Sequence, residues 1–166
     1  VPGVLLPAAL IFWLEASHAP EAGARLQNAF RTPVAAAKAV VDALASRDRA
    51  RLASLVVGEV EFRRFIWPRL PAARPEMHTP VDYVWADTSA KSRGYLGQLF
   101  AEFGGRRLDV QSVRFLGPVT DYGPFRIHAK AMVRVKEGGA ETREERLFGS
   151  LIESEDGWKV FSFIVD

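Results

Sequence analysis

The spacing of apolar residues changes at Gly104-Gly105. Before it they recur every three or four residues, and after it they alternate. Val34, Ala37, Val41 and Leu44 make one helical stripe running to about Ser46. Thr32 is placed to cap that helix and Pro33 suits its first position. Asp48 is the corresponding cap for a short second helix carrying Leu52, Leu55 and Val56, with Gly58 as its stop. Phe62, Phe65 and Ile66 predict a third, closed by Trp67-Pro68. Pro68, Pro71, Pro75 and Pro80 force an irregular connection, because each removes a backbone donor and restricts the residue before it. Thr79-Pro80 repeats the start signal. Val81, Val84, Trp85, Ser92, Tyr95, Leu99 and Phe103 then share one face of a long helix of about 24 residues, with Asp87-Thr88 the place where it could break.

Beyond the paired glycines the pattern predicts four strands, at 108–116, 125–136, 142–154 and 158–165. Gly138-Gly139 and Asp156-Gly157 supply hairpin turns, while Gly117-Pro118 and Gly123-Pro124 bracket the first connection. Such short connections make the sheet antiparallel. A two-residue Asp156-Gly157 turn pairs Ile152 with Phe161, Ser150 with Phe163 and Phe148 with Val165. A three-residue loop around Gly138-Gly139-Ala140 pairs Arg134 with Glu144, Ala131 with Leu147 and Ile127 with Leu151, and sets His128 beside Ser150. A slip of one residue in this second register turns His128 to the other face. Ile127, Ala129, Ala131 and Val133 alternate with polar residues, so apolar material is expected on both sheet faces, one over the long helix and one free for an isologous contact with a second copy.

The expected fold is α+β, with N-terminal helices packed on a curved four-stranded antiparallel sheet. Helices followed by a twisted meander, over roughly residues 32–166, resemble the cystatin-like cone fold of the nuclear-transport-factor-2-like superfamily. The resemblance lies in element order, with no motif to quote. It implies a pocket between sheet and long helix. In the isomerases and dehydratases of that superfamily such a pocket holds a carboxylate or histidine base opposed by tyrosine or carboxylic-acid donors. Tyr83, Tyr95 and Tyr122 are the only tyrosines here, and no spacing ties any of them to an acid.

Composition narrows the chemistry. The 166 residues are 48% hydrophobic and 25% charged, ordinary for a folded domain, with a formal net charge of only +2. There is no cysteine, so disulfides, thiolate metal sites and thiol nucleophiles are excluded. His18, His78 and His128 are far apart, and neither a histidine metal site nor a bound cofactor is expected. Arg63, Arg64, Arg69 and Arg74 are interleaved with Glu59, Glu61 and Glu76, which predicts a charge-balanced face and no nucleic-acid partner. Glu141, Glu144, Glu145, Glu153 and Glu155 are expected to pair across strands with Arg134, Lys136, Arg143 and Lys159.

At the other end, Val4 to Leu14 is an uncharged apolar run, too short for a membrane span and suited to a signal-peptide core. Ala22-Gly23-Ala24 offers small residues for cleavage, a better site than Ala19, which precedes Pro20. Residues 1–24 are therefore expected to be an export or tethering leader, which would also be the chain's membrane attachment if uncleaved. Residues 25–166 are expected to be one domain, periplasmic or extracellular.

Trp67, Tyr83, Trp85, Tyr95 and His128, with Phe148 and Phe163 on the sheet, are the candidate pocket residues: aromatic bodies with polar tips suit a small-molecule site. His128, Asp82 and Asp87 are the candidate bases, with Tyr83 or Tyr95 as donor. Without a recognisable catalytic set, the expected function is a non-enzymatic domain of the cell envelope that binds a small apolar ligand or another protein. The alternatives are a pocket enzyme of isomerase or dehydratase type and a homodimerisation module. Expression with native export signals should yield a mature chain beginning near Arg25. Mass spectrometry finding the leader intact on cytoplasmic protein would refute that expectation.

Overall fold

The computed structural model describes residues 25–165; the leader expected over 1–24 lies outside the described residues. Helix α1 (Pro33–Ala45) begins where the Thr32 hydroxyl accepts the Ala35 N–H at 3.1 Å, and its alanine- and valine-rich face is buried. Asp48 caps α2 (Arg49–Ser54) in the same way, through the Arg51 N–H at 2.9 Å. The third helical segment starts as a single turn, α3 (Glu59–Glu61), and widens into a π-helical turn over Phe62–Ile66. Pro68 follows that turn and has no N–H to return to the i−4 carbonyl, so a regular α-helix cannot continue through it. The widened turn carries Phe62, Phe65 and Ile66 to the inside.

Helix α4 (Val81–Phe103) is the long helix expected, and it runs unbroken through Asp87-Thr88. Its cap differs. Pro80 is the N-cap residue, and the Thr79 hydroxyl instead donates to the Met77 carbonyl at 3.2 Å. Gly104 ends the helix as expected. The Gly105 N–H then reaches back to the Leu44 carbonyl at 2.8 Å, fastening the end of α4 to the end of α1.

The expected strands are antiparallel, but two of the four are divided, a further short strand forms in the expected connection between the first two, and the described residues form two sheets. One sheet is β1 (Asp109–Phe115), β4 (Ala131–Lys136) and β5 (Arg143–Glu145), in the order β1-β4-β5. The other is β2 (Val119–Asp121), β3 (Phe125–Ala129), β6 (Ser150–Ser154) and β7 (Gly157–Ser162), in the order β2-β3-β6-β7. Gly117-Pro118 separates β1 from β2, and the divisions fall at Lys130 and around Gly149. Hydrogen bonds continue across them, from the Ala131 N–H to Gly149 O at 3.0 Å and from the Gly149 N–H to Ser162 O at 2.9 Å. Gly149 has no room for a side chain, since a Cβ there would lie 1.7 Å from the Ile164 carbonyl oxygen. A long helix and three shorter ones on antiparallel sheets are compatible with the α+β cone expected from element order.

Lys130 adopts φ +54°, an uncommon conformation for a side-chain-bearing residue, and it changes the register. Arg134 faces Glu144 as expected, but beyond Lys130 the pairing slips by one, so that Ile127 meets Ile152 and His128 meets Leu151 in place of Ser150. The final turn also shifts. Ser154 pairs with Gly157 and Ile152 with Lys159, which makes Glu155-Asp156 the turn residues. Phe161 is the extra residue of a bulge, lying between Val160, which pairs with Leu151, and Ser162, which pairs with Ser150.

The kink at Lys130 also splits the alternation read as one face. Ala131, Val133 and Val135 join α1, α4 and Phe148, Leu151, Val160 and Phe163 in a first core. Ile127 belongs to a second, with Phe125 and Ile152 from the sheet and Leu26, Val57, Phe62, Phe65 and Ile66 laid over them. The face expected to be free for a second copy is thus covered by the chain itself on the four-stranded sheet. The outer side of the three-stranded sheet carries Arg114, Arg134 and Glu144, with Arg114 paired to Glu144 at 2.6 Å.

One ion pair lies inside the second core. The Lys159 ammonium donates to both Glu61 oxygens and to the Gln27 carbonyl, each at 2.8 Å. Glu61 also accepts the Gln27 and Gly58 N–H groups, each at 2.7 Å. The side chains are only 4% and 6% exposed, so this contact is desolvated and its polar atoms are satisfied by partners. Lys159 was expected to pair across strands; its partner instead lies 98 residues away. Elsewhere the acidic residues pair mostly as charge balance suggests: Arg63 with Glu59 and Asp82, Arg126 with Glu153, Arg25 with Glu155, and Arg106 and Arg143 with Glu137.

Two outcomes follow. Glu61→Ala leaves a buried ammonium without its counter-charge and should cost about 3–5 kcal/mol. A double-mutant cycle with Lys159→Met should give a coupling of about 1–3 kcal/mol; additive melts would refute the pairing. For the second, hydrogen bonds from Arg106 first and Arg143 second hold the Glu137 carboxyl down, from an ordinary 4.5 to about 2. A depressed carboxyl stabilises the fold above its ordinary value and loses that contribution as pH falls toward its folded value. The stability gap between wild type and Glu137→Gln should therefore be full above about pH 4.5 and close toward pH 2, as read by urea melts across that range.

Candidate functional site

The residues facing α4 leave a void beside its middle turns. Along the buried side of this helix, Trp85 and Leu96 are large, but Thr88, Ser89 and Ser92 between them are small. Opposite stand Gly58, which has no side chain, and the short side chains of Ala53, Val56 and Val57. Phe62, delivered by the π-helical turn, and Phe161, delivered by the β7 bulge, close the ends. The result is a half-enclosed cavity of about 230 Å3, mostly apolar, between α4, the segment after α2, and β7. Trp85 is braced in its wall by Phe62, with ring centroids 5.3 Å apart.

The polar side chains of this lining are three hydroxyls and one cation, Arg93. The hydroxyls are partly committed to the fold. Ser89 donates to the Ala86 carbonyl at 3.3 Å, and Ser92 accepts the Phe163 N–H at 3.2 Å in a buried contact. Among the described residues no carboxylate, imidazole or phenol lines the cavity. A second, more open depression of about 660 Å3 shares Thr88 and Phe161 with it and bears Asp87, Lys91, Tyr95 and Lys130.

The structure disperses the residues named from sequence. Trp85 lines the apolar cavity and Tyr95 the open depression. Trp67 packs on Phe62 at 6.1 Å in the second core, outside both linings. Tyr83 is 68% exposed. Phe148 and Phe163 are fully buried in the first core. His128 sits between the rings of Phe115 and Trp158, at 4.9 and 4.6 Å, with Nε2 2.7 Å from a Glu153 oxygen. Asp82 is bound to Arg63 at 2.6 Å and Asp87 to Lys91 at 2.8 Å, both at the surface. No candidate base therefore meets a tyrosine donor inside the apolar cavity.

Sequence reading missed Ala53, Gly58, Ser89, Arg93 and Phe161. A signal for part of the set was present: Ser92 stands on the stripe of α4 that otherwise carries large apolar residues, and small residues on a buried stripe leave space. Phe161 gave none, because its orientation depends on a bulge.

Among the described residues no group of three or more acidic or histidine side chains is arranged to hold a metal ion, and no helix is long and apolar enough to cross a membrane. Comparison with protein-family models, with curated proteins and with solved structures finds no match to this chain.

Proposed function

We propose that this is a non-enzymatic domain of the cell envelope that binds a small apolar ligand in the cavity beside α4, on a cone fold of the nuclear-transport-factor-2-like kind. The carrying observation is the composition of the cavity wall: aromatic and aliphatic side chains, three hydroxyls and no acid–base pair. Apolar contact with a few polar groups is what a binding site needs. Isomerisation or dehydration requires a base and a donor converging on one atom. His128, the histidine candidate for that role, lies outside the lining and is engaged with Glu153. The placement in the envelope is supported by the apolar run before Glu15 and the small residues that follow it.

Octan-1-ol titrated into the full chain should change tryptophan fluorescence saturably, through Trp85 in the cavity wall. Ala53→Phe, a change at an exposed position of the lining, should abolish the response while leaving the melting temperature within a few degrees of wild type. His128→Ala should leave the affinity unchanged. A response that never saturates, or that survives Ala53→Phe, would overturn the proposal.

A further inference from the structure

Resting on the reading of this cavity as a ligand site, we propose that the ligand is a small amphipathic monoanion: an apolar body of about eight carbons ending in a carboxylate that Arg93 holds at the rim. Volume sets the body. At roughly 30 Å3 for a water-sized group, 230 Å3 accommodates about eight such groups. Charge sets the head. Among the described residues Arg93 is the only charged side chain in the lining, and none of them adds an Asp or Glu there to neutralise it.

Nor is that cation committed elsewhere. Lys91, two residues earlier, is bound to Asp87, whereas Arg93 makes no ion pair among the described residues. It lines the cavity yet is exposed, and it follows Ser92, whose side chain is buried, so the residue belongs to the boundary between apolar wall and water. A carboxylate there keeps part of its hydration while its tail is buried, and a guanidinium matches its two oxygens in one plane. A cationic head group would meet a like charge, and a neutral one would offer the guanidinium an acceptor without the opposite charge.

The probes are octanoate, octan-1-ol and octylamine, titrated calorimetrically into the full chain at pH 7. Octanoate should bind about three- to tenfold more tightly than octanol, as expected for one partly solvated charged contact. Octylamine should bind more weakly than octanol. Arg93→Gln should remove the preference of octanoate over octanol, Arg93→Lys should keep part of the preference, and added salt should weaken octanoate alone. If octanol binds as well as octanoate, or Arg93→Gln leaves their ratio unaltered, the anionic head is wrong and the apolar cavity stands. If neither binds, both readings fall.

Discussion

The buried pair of Lys159 and Glu61 is the constraint around which the second core is arranged. It joins three separated segments: the lead-in at Gln27, the helical turn at Glu61 and strand β7. Two opposite charges removed from water are tolerable only when their remaining hydrogen-bonding capacity is also met, and here two backbone N–H groups and a carbonyl meet it. The pair fixes where α3 sits on the four-stranded sheet. From that placement follow the π-helical turn, the inward Phe62 and the wall of the cavity. A hydrophobic pair would have filled the same space without dictating the angle of approach.

The edge of β7 is managed by the same segments. Phe30 exchanges two backbone hydrogen bonds of 2.7 Å with Trp158, and the Val57 N–H reaches Val160 O at 2.9 Å. The exposed ladder of an edge strand is thereby occupied. The second core then lies over the sheet face adjoining that edge, and the middle of β6 and β7 is buried on both sides. Consecutive residues such as Leu151 and Ile152 are both fully buried, each serving a different core.

This double burial explains what could be read from the sequence. Thr32-Pro33, Asp48 and Gly104 mark helix limits through local chemistry, and the structure places the limits there. The Arg134–Glu144 register was legible because a short glycine loop fixes it. Past Lys130 it was not, since a lysine in a left-handed conformation carries no local signature and shifts everything beyond it by one residue. The aromatic residues singled out from composition scatter for a related reason: hydrophobicity says that Trp67, Phe148 and Phe163 are inside, but not which of two interiors they enter. The cavity depends on small residues leaving space, and space is defined only by what stands opposite.

Strand β7 also imposes an order in time. Lys159 meets Gln27 across a separation of 132 residues and Glu61 across 98, and the strand bonds to Phe30 and Val57 as well. During synthesis these upstream segments emerge long before the strand that receives them, at about 5–20 residues per second. For several seconds Glu61 is a solvated carboxylate and the aromatic residues around it lack their sheet. Contacts of such long range make folding slow, because the loop between them must close before any of them is gained. Until β7 is available Glu61 lacks the buried cation that holds its segment on the sheet, and a nascent chain stalled short of β7 would present that unassembled surface to whatever lies nearby.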